Sequence, residues 1–311
     1  MMAMALIEHL GDIVADEPIA RAARLKFPNH CICWIVKPAY GELPENYPEV
    51  DRVVPVRCLT ESMLLHAAGL FDEMWEMHVG GHICEKCGIQ KVGSGPAPKP
   101  DMTNYYRFGN IIGLHCLSAG IPPVSDAPVL SPPPDAVASV NRLGLPNRFV
   151  AIHCISNDGV RDWPAAKWQR LVAAIANDLL VNVVELGLQP FAVPHDGALV
   201  RNLCGQLSIM QTAEVIRRAT LFIGIDSGPA HLANAVGTQG VLLFGPCLGM
   251  DDYMPFSGGY QDGSIVDILR ASEVVANLSV ETVLTAVSRR LRVVEDRGDE
   301  RGDVAAEARK P

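Results

Sequence analysis

The chain has 311 residues, which is more than a single hydrophobic core usually supports, so its length predicts two domains. A hydrophobic content of 49% with 20% charged residues excludes a mainly disordered chain, and the net charge of −9 excludes general attraction to nucleic acid or to an anionic membrane surface. The first residues lack the basic segment of a signal peptide, and no apolar run approaches the ~18 residues of a membrane span, so we expect a cytoplasmic protein with reduced cysteines.

Strands and helices alternate through the first half of the chain. Apolar runs rich in β-branched residues predict the strands, and apolar residues at helical spacing predict the helices between them. The predicted strands are residues 3–7, 31–36, 51–56 and 72–77, and the predicted helices are a segment that ends before Phe27 and residues 61–70. This order is typical of a parallel, doubly wound sheet.

Prolines cluster between residues 121 and 135 and predict a semi-rigid linker rather than a helix or a central strand. The alternating pattern then restarts and continues to a helix that Ser279 begins and arginines 289–292 end, while the charged residues after Val294 predict a disordered tail. The predicted units are an N-terminal domain (1–125), a linker (126–147), a C-terminal domain (148–294) and the tail (295–311).

Residues 220–246 carry the most specific pattern. A buried strand ends on Asp226, turns through Ser227-Gly228-Pro229, and continues as a helix of small residues that contains His231. The carboxyl edge of a parallel sheet and the N-terminus of a helix meet at such a turn, and together they favour an anionic ligand. The pattern predicts a site for a phosphorylated ligand beside a polar group such as a sugar.

Three segments in chain order resemble glycosyltransferase family 9, the heptosyltransferase-like enzymes. They are Leu10-Gly11-Asp12-Ile13 with Glu17-Pro18, residues 152–157 with Arg161-Asp162-Trp163-Pro164, and residues 226–233 with Leu243-Phe244-Gly245-Pro246. The resemblance spans about residues 5–250. It implies the GT-B fold, an α/β architecture in which two Rossmann-like, doubly wound domains face each other across a cleft.

The resemblance also implies catalytic roles for two residues. Asp12, which follows Gly11, matches the general base that deprotonates an acceptor hydroxyl; alternatively it caps the helix that follows. Arg161 matches the basic residue that neutralises the leaving diphosphate; alternatively it is a surface arginine paired with Asp158 or Asp162.

Further substrate-binding residues are implied by the same match. Those expected to contact phosphate or sugar are Gly11, Ser156, Asn157, Asp226, Ser227, Gly228 and His231. For His231 a structural role is the alternative. The family often carries a ribose-binding glutamate where this chain has Gln189, or Glu185 in another register, so the nucleoside is left open.

A loop outside the resemblance contains His78, His82, Cys84 and Cys87. Their types and spacing are those of a structural zinc site, to which Cys58 and His66 are further candidate ligands. The alternatives are a reduced loop without metal, a redox Cys-X-X-Cys, and a loop that folds over the acceptor.

The resemblance thus implies a metal-independent, inverting glycosyltransferase that needs no cofactor. By the resemblance, the donor is a nucleoside-diphosphate sugar, with ADP-heptose favoured, and the acceptor is a bacterial surface glycan or a glycolipid of the lipopolysaccharide type. A peripheral contact with the inner membrane follows from such an acceptor. The alternatives are a non-catalytic protein of the same fold, which binds nucleotide sugars or is a zinc-stapled interaction protein, and a nucleotide-sugar epimerase or hydrolase.

Overall fold

Two parallel β-sheets organise the part of the chain that this computed structural model describes, residues 1–92, 100–193, 197–246 and 253–307. The first sheet has the strand order β3-β2-β1-β4. Its strands are β1 (Met2–Ala5), β2 (Ile32–Val36), β3 (Arg52–Pro55) and β4 (Glu73–Glu76). The central strands β1 and β2 are buried on both faces, which explains why they read as continuous apolar runs.

Helices cover both faces of the first sheet. The helices of this half are α1 (Leu10–Ala15), α2 (Glu17–Lys26), α3 (Leu59–Ala67) and α4 (Ile111–Ala119). Helices α1, α2 and α4 share a hydrophobic core with Met4 and Trp34, whereas α3 packs with Ala5 and Cys33 from the opposite face. Alternate residues of one strand therefore serve two different layers.

The second sheet has the strand order β10-β9-β8-β5-β6-β7. Its strands are β5 (Phe149–His153), β6 (Asn182–Leu186), β7 (Val200–Asn202), β8 (Leu221–Ile225), β9 (Gly240–Phe244) and β10 (Val266–Arg270). The helices of this half are α5 (Pro134–Arg142), α6 (Ala165–Asn177), α7 (Ile209–Arg218), α8 (Gly228–Ala235) and α9 (Val280–Glu307). The prediction of an α/β fold with parallel sheets is confirmed.

Two local predictions are wrong. The proline-rich segment contains helix α5, because a proline at the first helical position loses no intrahelical hydrogen bond and Pro134 occupies that position. The tail that was expected to be disordered continues α9 as far as Glu307, past the predicted end at the arginines. Glutamate, arginine and alanine are good helix formers, and extending an existing helix costs less than nucleating one. Residues 308–311 lie outside the described ranges.

Candidate functional site

The strand order of the second sheet reverses between β5 and β8, so the loops after these two strands diverge and leave a crevice at the carboxyl edge. The loop after β5 carries Ser156, Asn157 and Arg161, and the turn after β8 carries Asp226 and Ser227. Two segments separated by about 70 residues in sequence therefore meet at one edge, as the motifs predicted.

Arg161 and Asp226 form the centre of this site. The Arg161 guanidinium donates through Nη1 to Asp226 Oδ2 at 3.4 Å and to the Asp226 carbonyl at 3.3 Å, and through Nη2 to Asn157 Oδ1 at 2.7 Å. Burial raises the pKa of Asp226, and the neighbouring Arg161 opposes that rise. Arg161 thus pairs with Asp226 inside the crevice, and not with Asp158 or Asp162 as in the surface alternative.

The residues predicted to bind phosphate after β5 form hydrogen bonds within their own loop. Ser156 Oγ donates to Asp162 Oδ1 at 2.8 Å, and the backbone N–H of Ser156 donates to the same carboxylate oxygen at 2.7 Å. Asn157 uses its carbonyl oxygen to accept from Arg161. In this structure Asn157 holds Arg161, and Ser156 holds Asp162 in the same loop.

Ser227 is held by a histidine to which the sequence analysis gave no role. Ser227 Oγ donates to the Ile225 carbonyl at 3.2 Å and lies 3.0 Å from His153 Nδ1, so the hydroxyl accepts from a protonated Nδ1. Burial lowers the pKa of His153 to about 4, which keeps its ring neutral near pH 7. His153 is the last residue of strand β5. Its position within the motif at residues 152–157 is the sequence feature that could have indicated a role.

Helix α1 of the first sheet packs directly on helix α8 of the second. A Cβ on Gly11 would lie 2.7 Å from His231 Cδ2, and a Cβ on Gly228 would lie 2.6 Å from Leu10 Cδ2. Both glycines are therefore needed for this close approach. The contact brings Asp12, which is half-buried in the first turns of α1, to the same region as α8.

The charge of Asp12 changes the pKa of groups in the second half of the chain. Burial raises the pKa of Asp226 and of Tyr253, and the Asp12 carboxylate adds to both rises. Burial lowers the pKa of His231 to about 4, while Asp12 works in the opposite direction. Asp12, Arg161, Asp226 and His231 are thus brought into one electrostatic neighbourhood.

Two buried nitrogen atoms of the site lack partners. Within the described residues, neither Arg161 Nε nor His231 Nδ1 has a hydrogen-bond acceptor or donor, although both atoms are buried. The His231 ring also packs against Phe256 with its centroid 4.5 Å away. Buried polar atoms are normally satisfied, so such atoms mark a place where a ligand or water completes the bonding.

The crevice is completed by residues that no motif indicated. It is lined by Arg161, Asp226, Leu243, Phe244, Gly245, Tyr253 and Arg270, and the space enclosed is about 10 Å³, room for about one water molecule. Arg270 donates to the Tyr253 carbonyl at 2.9 Å and lies over the ring of Phe244. Arg270 reaches the site because β10 pairs with β9, and a lone arginine in a partly buried strand carries no sequence signal for this.

The two residues considered for ribose binding, Glu185 and Gln189, have different surroundings. Glu185 is 1% exposed, and its two carboxylate oxygens accept from the backbone N–H groups of Phe191, Ala192 and Val193 at 2.7–2.9 Å. Gln189 lies exposed in the loop after β6. Glu185 is therefore committed to shaping its own loop, whereas Gln189 is exposed to solvent.

The predicted histidine ligands of the metal loop are used elsewhere. His78 Nδ1 lies 2.5 Å from Glu76 Oε1 and its Nε2 accepts from the Ile7 N–H at 3.1 Å, while His82 Nε2 lies 3.1 Å from Glu8 Oε1. The hydrogen bond from His82, with an ion pair to Lys37, lowers the pKa of Glu8 to about 2 against the effect of burial. The prediction of His78 and His82 as ligands is wrong, because buried glutamates take both rings.

The cysteines of that loop come together with a third. The Sγ atoms of Cys58, Cys84 and Cys87 all lie within 4.8 Å of one another, and they are the group of potential metal ligands found among the described residues. The Thr60 side chain and nearby backbone N–H groups lower the pKa of Cys84 to about 6. His66, the other candidate ligand, lies exposed on α3 and outside this group.

Comparison with known proteins finds a family resemblance in the second half of the chain. Residues 133–249 match the sequence profile of glycosyltransferase family 9 (heptosyltransferase). The predicted resemblance to this family is confirmed. The family 9 segment runs from α5 through β9 and contains Arg161, Asp226 and His231, but it does not reach Asp12.

Individual relatives agree with this family. Lipopolysaccharide heptosyltransferase 1 of Salmonella typhimurium is 26% identical over 106 residues, so the match spans 31% of this chain and about a third (32%) of that relative's length. The structure of E. coli ADP-heptose lipopolysaccharide heptosyltransferase II has a TM-score of 0.72 at 16% identity and covers 94% of this chain and 99% of its own. Family 9 and the Salmonella typhimurium relative are glycosyltransferases, which is the predicted enzyme class.

One structural relative contains a metal. The iron-containing dodecameric glycosyltransferase TibC from enterotoxigenic E. coli has a TM-score of 0.63 at 15% identity and covers 94% of this chain and 78% of its own. At such identity the likeness shows the fold. The cysteine cluster described above gives the present chain its own set of potential metal ligands.

Across the described ranges, none of the helices combines the length and the apolar character that crossing a membrane requires.

Proposed function

We propose that this protein is an inverting glycosyltransferase of the GT-B type, which transfers heptose from an ADP-activated donor to a bacterial surface glycan or a lipopolysaccharide-type acceptor. One observation carries the proposal: Asp12 of the first sheet lies in the same electrostatic neighbourhood as Arg161, Asp226 and His231 of the second. An acceptor base and a donor-binding edge are thus contributed by different halves of the chain.

In this mechanism Asp12 removes a proton from the acceptor hydroxyl. The oxygen then attacks the anomeric carbon from the face opposite the diphosphate, the bond to the diphosphate oxygen breaks, and the configuration at the anomeric carbon inverts. A base needs to lie within ~3 Å of the hydroxyl, and Asp12 meets the further need for partial solvent access because it is half-buried rather than enclosed.

Charge that develops on the departing diphosphate is stabilised from two directions. Arg161 provides a guanidinium with an unpartnered, buried Nε. Helix α8 presents its N-terminal N–H groups from Gly228 onward, and the helix dipole favours an anion there. Asp226 orients the donor by accepting hydrogen bonds from the hydroxyl groups of the sugar. Gln189 contacts the nucleoside.

The crevice beside Arg161 and Asp226 encloses only about 10 Å³, and we propose that the halves separate to admit the donor and close again for transfer. We assign residues 1–125 to the acceptor side, 126–147 to the connection and 148–294 to the donor side. A glycolipid acceptor would bring the protein to the inner face of the membrane from the cytoplasm.

The test has a binding arm and a turnover arm. Thermal unfolding with ADP, GDP, UDP, CDP and dTDP should show selective stabilisation by ADP, by ~2.7 kcal/mol at ~100 times the dissociation constant. With ADP-heptose and heptose-deficient lipopolysaccharide, Asp12→Asn should lower kcat by ~10²–10⁴-fold without weakening ADP binding. The matched control, Asp178→Asn, changes an exposed aspartate beyond α6 and should leave kcat unchanged.

Three outcomes would contradict parts of the proposal. Selective stabilisation by another nucleotide would mean that the donor carries that nucleotide and not ADP. Product formed from the donor without any acceptor would indicate an epimerase or hydrolase. Binding of ADP-heptose with no turnover by the wild-type protein would indicate a non-catalytic protein.

A further inference from the structure

A cysteine cluster lies on the face of the first sheet opposite to α1. Cys58 and Cys84 belong to the hydrophobic layer that also contains Ala5, Cys33 and Leu59, whereas α1 packs on the other face. This placement separates the cluster from the proposed transfer site by the thickness of the sheet. The grouping of the three cysteines is therefore not explained by the proposed sugar transfer.

Two of the cysteines occupy the tip of a tight hairpin. The Cys84 N–H donates to the Ile89 carbonyl at 2.9 Å, and the Gly88 N–H donates to the Cys84 carbonyl at 2.8 Å. Gly88 has a φ of 68°, a conformation that glycine adopts without strain, and it lets the chain turn directly after Cys87. The Cys84-X-X-Cys87-Gly88 turn thus directs two sulfur atoms to one side.

The third cysteine comes from a different element. Cys58 is the N-cap residue of α3 and has extended backbone angles, φ −167° and ψ 168°. Its Sγ lies 3.8 Å from Cys87 Sγ. Zn²⁺ bound tetrahedrally at ~2.3 Å by two thiolates holds their sulfur atoms ~3.8 Å apart, whereas a disulfide joins them at ~2.05 Å. The observed spacing excludes a disulfide in this structure and suits either a shared metal ion or a thiol–thiol contact.

The hairpin is attached by polar contacts, among them that of Lys91 Nζ with the His78 carbonyl at 2.9 Å, and by few large apolar side chains. Ile83 is 56% exposed and Val92 is 86% exposed, so the hairpin buries few large apolar side chains on α3 or the sheet. A two-stranded hairpin is marginal in water on its own and needs an additional link.

We propose that Cys58, Cys84 and Cys87 bind one Zn²⁺ as three thiolates, with water in the fourth tetrahedral position. Binding releases the thiol protons to solvent, and no electron transfer is involved. The ion links the hairpin to the start of α3. Because the same hairpin carries His82 to Glu8, the ion also fixes this hydrogen bond at the edge of the first sheet.

The test uses the full-length protein, purified without chelator and analysed for metals by mass spectrometry. We expect one zinc per chain in the wild type and its loss in Cys58→Ser, Cys84→Ser and Cys87→Ser. Cys31→Ser is the matched control, since Cys31 is a half-buried free cysteine outside the cluster, and it should keep the metal.

A second measurement avoids the risk that the variants fail to fold. X-ray absorption at the zinc edge of the wild-type protein should show three sulfur neighbours at ~2.3 Å. The proposal would be overturned by the absence of metal in the wild type, by fewer than three sulfur neighbours, by zinc retained in all three serine variants, or by a Cys58–Cys87 disulfide in mass spectra. Iron at the same stoichiometry would overturn zinc as the ion. None of these measurements uses a sugar donor, so their failure would not affect the proposed transferase activity.

Discussion

Arg161 is fixed by Asn157 on one side and by Asp226 on the other, and this leaves its Nε as the buried atom without a partner. A pre-positioned guanidinium can form charge-assisted hydrogen bonds to a diphosphate without first paying to order its own side chain. The residue is therefore better suited to bind the donor than a flexible surface arginine would be.

Replacement of Arg161 should accordingly weaken nucleotide binding. Arg161→Ala removes a charge-assisted bond worth ~1.5–3 kcal/mol, so the Kd for ADP in calorimetric titration should rise ~10–100-fold. Arg161→Lys keeps the charge but not the planar fork and should recover part of this loss. Arg170→Ala removes an arginine with 65% side-chain exposure that pairs with Glu281 and serves as the control. Equal ADP affinity in all variants would argue against the assignment.

Gly11 gives a prediction about stability rather than binding. Gly11→Ala places a Cβ 2.7 Å from His231 Cδ2, a distance that real contacts do not show, so the two helices must shift. Overpacking of this kind costs ~1–3 kcal/mol in the free energy of unfolding, measurable by urea denaturation. Gly159→Ala, where a Cβ meets nothing within 4 Å, should cost much less. If both variants were equally stable, the close approach of α1 and α8 would be refuted.

Among single residues, those in contiguous motifs were predictable and those paired over long distances were not. The Asp226 turn lies at the end of its own strand, so local sequence was sufficient to place it. His82 pairs with Glu8, 74 residues away, and a choice between a metal and a buried carboxylate as partner cannot be read from spacing. Cys58 was only one of two further candidates for the same reason.

The loop after β6 depends on one buried carboxylate. Glu185 accepts three backbone hydrogen bonds, and Glu185→Gln would turn one acceptor oxygen into a donor facing another donor. We expect a loss of ~1–3 kcal/mol in the free energy of unfolding, together with faster hydrogen exchange at residues 191–193. Glu281→Gln, at a side chain with 72% exposure, is the matched control. Unchanged exchange at these amides would contradict a structural role for Glu185.

At the level of elements, strong local signals gave the right structure. Helix α7 begins with a capping box in which Ser208 and Gln211 exchange hydrogen bonds. Strand β10 was not predicted, because it is only partly buried and its residues Asp267 and Arg270 interrupt the apolar pattern. Helix α9 was predicted to end at its arginines, but Arg289 and Arg290 pair with Asp267 rather than with the carbonyl groups of a helix end.

The two sheets are joined by buried contacts as well as by the chain. One hydrophobic cluster contains Met4 and Trp34 of the first sheet and Phe149 and Phe222 of the second. Glu42 also accepts from the Ser208 hydroxyl at 2.6 Å and thereby contacts the start of α7. This arrangement depends on contacts between distant segments, so sequence patterns predicted the two sheets but not how closely they meet.

Acid should destabilise the whole molecule through its buried histidines. His153 and His231 have a pKa of about 4 in the folded state, below the 6.5 of an unperturbed histidine. Because the folded pKa is depressed, this stabilisation is present above pH 6.5 and is lost as the pH falls toward 4. Each histidine should cost about 2 kcal/mol of the free energy of unfolding between pH 6.5 and pH 5.

Urea denaturation at the two pH values measures this loss. His231→Gln should remove about half of the loss that the two histidines cause, whereas the exposed His66→Gln should remove none. Asp16, whose pKa burial raises to about 6, contributes in the opposite direction, and it does so equally in every variant. An unchanged pH dependence in His231→Gln would show that this ring is protonated in the folded protein.

The contact between Leu10 and Gly228 has a consequence for how this protein can change over time. The side chain of Leu10 occupies the space that any Cβ at position 228 would need. A larger residue at 228 can therefore be accepted only after residue 10 has become smaller, so these two positions must evolve together. Attempts to alter donor preference at the start of α8 should begin on the other half of the chain, at residue 10.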